Sequence, residues 1–290
     1  KKNFVNYSLI ILLHLMSKNL DKLVIQTRRD ILRMVHAVNS GHPGGSLGCV
    51  EFFVTLYNEI MDHGLDEDSK DMFILSNGHI SPVYYSTLAR AGYFETKELN
   101  TFRKINSRLQ GHPTNHDNLP GVNISSGSLG QGLSVGIGVA LSKKLNNDSS
   151  LVYVLTGDGE LQEGQNWEAF MFASANKVDN IIVTIDLNGQ QIDGSTEDVL
   201  DIGNLKFKLE SFNWEVLEID NGNSLEDVLK TLIEAKKNSM RGRPIAILMK
   251  TIMGNGVDFM MYTHKWHGVA PNDEQLKEAL KQNPETLGDY

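Results

Sequence analysis

Two turns in this sequence offer oxygen ligands that a metal ion and a phosphate could share. Gly157-Asp158-Gly159 follows the apolar run Leu151–Leu155, and Asp186-Leu187-Asn188-Gly189 closes the run "NIIVTID". A carboxylate, an amide oxygen and nearby backbone carbonyls are hard donors of the kind Mg²⁺ or Ca²⁺ takes. Mg²⁺ ordinarily completes its shell with substrate phosphates. The flanking glycines let backbone N–H groups come close to such phosphates. A lone Gly-Asp-Gly is most often an ordinary turn. Here 28 residues lie between Gly159 and Asn188, room for one helix and one strand, so the two turns are expected to emerge side by side.

Histidines form the second set. His42, His79 and His112 each follow a glycine and His267 precedes one, all at ends of predicted elements. Imidazole donates or accepts a proton near neutral pH, which suits proton relay and hydroxyl recognition. A typical histidine is a surface or satisfied-core residue, so placement and not residue type singles these four out. Glu163 and Glu168, just past the first turn, read by themselves as a solvated helix face, and Trp167 reads as packing.

The elements that must position these groups follow from the apolar pattern. Helices are expected over 19–39, 47–60, 81–91, 129–145, 164–176 and 224–237. Strands are expected over 151–155, 180–186, 214–219 and 244–250, with a short apolar run at 72–75. Strands of nearly continuous apolar residues separated by helices imply a doubly wound, mostly parallel α/β sheet with helices on both faces. Ligands of such sheets bind beyond the carboxyl ends of the strands. The breaker clusters at 40–45, 76–79, 157–159 and 186–189 fall at or near element ends. One domain over 20–290 is expected, with an irregular tail from about 254 and a short helix from Asn272, a candidate N-cap, to Gln282.

Composition narrows the function classes. A formal net charge of −9, without a dense Lys/Arg run, disfavours a nucleic-acid or anionic-membrane surface. Cys49, the only cysteine, cannot form an internal disulfide and reads as a small buried residue. The apolar stretch Leu9–Met16 within the extension 1–19 is far short of the ~20 residues that span a bilayer. It is interrupted by His14 and lacks a cleavage site, so it reads as a packing segment or loose terminus. A cytoplasmic location is expected.

Gly-Asp-Gly followed about thirty residues later by Asn resembles the thiamine-diphosphate motif. The surrounding text resembles transketolase: "SGHPGGSLG" at 40–48, "LSNGHISPVYYS" at 75–86, "QGHPT" at 110–114, "GSLGQG" at 127–132, "GDGELQEGQNWEA" at 157–169 and "THKWHG" at 263–268. The resemblance spans roughly residues 20–270. It implies a thiamine-diphosphate-binding fold, with Asp158, Asn188 and the Gln190 carbonyl holding Mg²⁺, for which Ca²⁺ or Mn²⁺ can substitute. It further implies that His79 and Gly159 contact the diphosphate, that Gly127 and Leu129 line the cofactor, and that Ile192 packs near its rings. His42, His79, His112 and His267 would surround the thiazolium and the sugar hydroxyls, with a lesser role for His264. Glu163 and Glu168 would lie at the subunit interface. Three departures stand out: Leu187 before the ligand Asn188, Ser128 in place of a proline, and Lys265-Trp266 between two histidines.

The resemblance also implies what this stretch lacks. The glutamate that activates the cofactor and the arginines that clamp the substrate phosphate belong to the family's pyrimidine-binding domain. The expectation is therefore the N-terminal subunit of a split transketolase in the pentose phosphate pathway. It would act on sugar phosphates with a C-terminal partner chain, two copies of each. The alternatives are an excised fragment, a 1-deoxyxylulose-5-phosphate synthase-like enzyme, or a non-catalytic thiamine-diphosphate-binding module.

Overall fold

A computed structural model describes residues 2–65 and 70–290, with side chains described from Asn19 onward. The apolar runs form five strands: β1 (Met72–Leu75), β2 (Val152–Gly157), β3 (Ile181–Leu187), β6 (Glu215–Ile219) and β7 (Ile245–Lys250). They join in one sheet of order β1-β2-β3-β7-β6, and every pairing is parallel. A two-residue hairpin, β4 (Gln190–Gln191) with β5 (Gly194–Ser195), stands apart just after β3. It is too short and polar to show in the hydrophobic pattern.

Helices cover both faces. In chain order they are α1 (Lys2–Ala37), α2 (Pro43–Gly48), α3 (Val50–Thr55), α4 (Ser81–Arg90), α5 (Gln131–Leu145) and α6 (Gly164–Ala175). After these come α7 (Thr196–Leu200), α8 (Leu205–Ser211), α9 (Leu225–Asn238) and α10 (Asp273–Gln282). Successive strand residues point to opposite faces, and the core divides accordingly. Tyr153 and Leu155 pack with Val35, Phe53, Tyr85 and Leu232 on one side. Val152 and Val154 pack with Leu133, Ile137, Phe170 and Leu209 on the other. The helix α1 is tied to α4 through buried Asp30, which accepts from Arg90 Nε and Nη2 at 2.9 Å each and from Ser86 Oγ at 2.8 Å.

Several element boundaries differ from the sequence expectation. The helix expected over 19–39 reaches back to Lys2; the side-chain packing of Leu9–Met16 lies outside the described residues. The segment expected as one helix over 47–60 is α2, α3 and a π turn at Leu56–Ile60. Pro43-Gly44-Gly45, read as breakers, lie inside α2, because proline at the first helical position forfeits only an N–H that has no partner there anyway. The tail from 254 carries two 3₁₀ turns before α10, and Asn272 with Gln275 completes a capping box. Among the described residues no helix is long and apolar enough to cross a membrane.

The helix α5 reaches the sheet through Gly136, where an added Cβ would stand 2.6 Å from Val154 Cγ2. Gly136→Val should therefore destabilise the fold by at least about 2 kcal/mol, as overpacking of a filled core does. A lowered urea midpoint with an unchanged slope would bear this out, and an unchanged midpoint would contradict the packing described.

Candidate active site

The parallel register determines where the two turns emerge. Gly157 of β2 pairs with Asp186 of β3, and Leu75 of β1 pairs with Leu155. The segments 76–79, 157–159 and 186–192 therefore leave the same edge of the sheet, its carboxyl end. They line a cavity of about 270 Å³. His42, His79, His112, Gly127, Leu129, Asp158, Gly159, Asn188, Gln190, Ile192 and His267 all line it. His264 is exposed beside it, and its charge disfavours protonation of His267.

Asp158 is almost wholly buried. Its Oδ1 accepts from Gly159 N–H at 2.8 Å and its Oδ2 from Gly189 N–H at 2.7 Å. Burial, and next the neighbouring Asp186, push its carboxyl up to about 7 against the pull of these N–H donors. Asn188 is oriented from both ends. Its Nδ2 donates to Asp186 Oδ2 at 2.8 Å, and its Oδ1 accepts from Gln190 N–H at 2.9 Å. Asp186, buried and also receiving Thr251 Oγ1, thus decides which way the amide faces. That role was not assigned from sequence, although Asp186 lies in the turn that was singled out.

Three imidazoles form a triangle. Ring centroids are 5.0 Å apart for His42 and His79, 5.2 Å for His79 and His267, and 5.6 Å for His42 and His267. His112 arrives from a separate loop and packs on Gly127, where an added Cβ would meet its ring at 2.6 Å; the positive φ of Gly127, +120°, also excludes other residues. Burial, then the charges of His267, Arg103 and His112, lower His42 to about 4. Burial is the leading cause of the downward shifts of His79, His112 and His267 as well.

The residues suit a diphosphate and a cation. His42 Nδ1, His267 Nδ1 and Asn77 Oδ1 are buried without a protein partner, and such atoms ordinarily find one in a ligand or water. Among the described residues no three His, Cys, Asp or Glu side chains form a metal cluster. The available donors are one carboxylate, one amide and backbone carbonyls, a hard oxygen set that leaves coordination positions for phosphate and water. Leu129 and Ile192 are exposed apolar side chains on the cavity wall, 36% and 60% accessible, suited to a flat ring.

Glu163 and Glu168 lie outside the cavity. Glu163 backs Gly130, and Glu168 borders a groove between α5 and α6 with Ile137, Leu141 and Phe172. Sequence reasoning missed Glu160, Asn77 and Gln191, which also line the cavity. Nothing in the pattern marks Glu160 as buried, since a glutamate after a turn is ordinarily solvated.

A parallel α/β domain with a Gly-Asp-Gly turn and a paired Asn at its carboxyl edge defines a diphosphate-binding class. The family profile of the transketolase thiamine diphosphate binding domain matches residues 20–286. One of the paired subunits of the apulose-4-phosphate transketolase of Phocaeicola vulgatus is 35% identical over 90% of this chain and 92% of its own length. A 6-deoxy-6-sulfo-D-fructose transketolase subunit from a Clostridium species is 33% identical over 88% of this chain and 92% of its own length. The transketolase structure from Leishmania mexicana superposes with a TM-score of 0.86 at 30% identity; the match covers 93% of this chain and 42% of that one. The chain belongs to the transketolase family of transferases, by its thiamine diphosphate-binding domain.

Acid should unfold the ligand-free protein early. A histidine whose folded pKa is depressed binds more protons when unfolded, so stability falls as pH drops below about 6.5. For His42 the loss is complete below about 4. Thermal melts from pH 7 to 4 should show this fall, and His42→Asn should flatten it; an equally steep profile in the variant would remove His42 as a contributor.

Proposed function

We propose that this chain is the cofactor-anchoring half of a split transketolase, working with a partner chain that carries the pyrimidine-binding domain. The cavity at the sheet edge carries the reading, because one carboxylate, one oriented amide and three neutral imidazoles converge there. Relatives that this chain matches over 92% of their length are themselves subunits, which favours the split arrangement.

In this reading Asp158, Asn188 and the Gln190 carbonyl hold Mg²⁺ against the diphosphate, while Gly159 and His79 contact the diphosphate itself. Gly127 and Leu129 line the cofactor, and Ile192 packs near its rings. When bound, thiamine diphosphate supplies a nucleophilic carbon and an electron sink that carry a two-carbon unit. The donor is a ketose phosphate, which leaves as an aldose phosphate two carbons shorter, and a second aldose phosphate accepts the unit. The four imidazoles surround the reacting sugar. His42 and His267 accept and return hydroxyl protons at Nδ1, a role that needs them neutral, as burial keeps them. His112 contacts donor hydroxyls. The walls exclude water, and the shortage of apolar enclosure on the open side leaves room for a second chain.

Glu163 and Glu168 lie toward that partner surface. Val135, Met171 and Phe172 on α5 and α6 are exposed apolar side chains, 41%, 50% and 50% accessible, beside Glu168. Such a patch suits burial in an assembly of two copies of each chain. Phe172→Glu should shift the assembly to smaller species in size-exclusion chromatography with light scattering; unchanged mass would argue against this face.

The decisive assay combines the chain with its partner, thiamine diphosphate and Mg²⁺, and offers xylulose 5-phosphate with ribose 5-phosphate. Two-carbon transfer is expected, and no product from a folded, assembled pair would sink the reading. Turnover that depends on pyruvate would replace it with the 1-deoxyxylulose-5-phosphate synthase alternative. Asp158→Ala should lower activity about a hundredfold or more and weaken Mg²⁺ dependence, since it removes the one charged donor to the cation.

A further inference from the structure

The cavity holds one buried acid to which the reading above gives no part. Glu160 is 2% accessible and lines the cavity directly behind Asp158. Its Oε1 accepts from Ser76 Oγ at 2.5 Å and from Gly130 N–H at 2.8 Å; its Oε2 accepts from Gly157 N–H at 3.2 Å. Its own backbone carbonyl accepts from Asn166 Nδ2 at 2.7 Å, which anchors it to α6.

These donors belong to three separate walls. Ser76 opens the turn that ends in His79, Gly130 closes the loop that carries Gly127 and Leu129, and Gly157 precedes Asp158. The three segments lie far apart in sequence. A carboxylate is an acceptor at both oxygens, so one side chain can receive all three donors at once. Leaving those buried donors without a partner would cost each its desolvation penalty, and each wall would then relax independently.

We propose that Glu160 is a positioning residue that joins the three walls into one cooperative cradle, so that a diphosphate and cation seated at Asp158 also order the His79 turn and the Gly127–Leu129 loop. This rests on the cofactor reading given above. It adds that the cradle responds as a unit and that one side chain makes it so.

Hydrogen exchange on the full chain assembled with its partner, with and without thiamine diphosphate and Mg²⁺, tests it. In the unaltered protein the ligand should slow exchange together in segments 75–80, 127–132 and 157–160. In Glu160→Ala the protection should persist at 157–160 and fall away at the other two. The cofactor concentration for half-saturation, read by fluorescence quenching, should rise about tenfold or more, as loss of an outer-shell partner commonly causes. Glu160→Gln keeps one oxygen for Ser76 and Gly130 but turns an amide NH₂ toward the Gly157 N–H. It should restore most of the affinity and the protection at 75–80 and 127–132. Should Glu160→Ala fail to fold, Ser76→Ala removes one donor alone, and its coupled protection should be lost at 75–80 only.

Wild-type half-saturation with protection of all three segments in Glu160→Ala would overturn the proposal. So would a lowered melting temperature with unchanged cofactor response, or, in Ser76→Ala, retained protection at 75–80. If the unaltered assembly shows no protection anywhere, the cofactor reading itself fails and takes this inference with it.

Discussion

The register between β2 and β3 is the constraint on which the site depends. Gly157 opposite Asp186 sets two strand ends level, and the turns that follow bring Asp158 beside Asn188. The arrangement buries two carboxylates, Asp158 and Asp186, within one small region. Burial alone would drive both toward the neutral acid, and it does raise both. They are kept in place because each is surrounded by donors: backbone N–H groups for Asp158, and Asn188 with Thr251 for Asp186. A cation offsets that crowding better than a proton does, since it satisfies the carboxylate and the amide together.

Chemistry around this point is assembled from distant segments. His42 enters just before α2, whose first residue is Pro43; His79 enters ahead of α4. His267 enters on the tail, where Trp266 Nε1 donates to the Phe259 carbonyl at 2.9 Å and the two rings meet edge to face. Rings this close repel one another when charged, and burial adds to that penalty. The fold therefore sets the protonation state of the histidines as well as their positions. Neutral imidazole can take a proton from a hydroxyl and give it back, which links packing directly to the proposed proton handling.

Much of this was legible beforehand. Strong apolar runs marked the strands of the sheet, because a parallel strand buried on both faces has no polar alternation to hide it. The turn residues of the site were legible because glycine, aspartate and asparagine at strand ends have a limited set of uses. Other features were not. The hairpin at 190–195 carries no hydrophobic signal, yet it holds Gln190 and places Ile192 on the cavity wall. Pro43-Gly44-Gly45 resembled an interruption and is the start of a helix, since local propensity does not say which backbone groups tertiary packing will cover.

Residue type and spacing alone determined the oxygen donors, the candidate histidines and the parallel α/β class, because these depend on local chemistry and strand periodicity. Tertiary structure decided which groups meet. Only the folded chain brings Ser76, Gly130 and Gly157 onto one carboxylate, and only it shows that Glu160 is buried where a glutamate after a turn is ordinarily solvated. Desolvation and convergence are properties of the packed molecule, and they turn four loop histidines into a neutral, mutually coupled set.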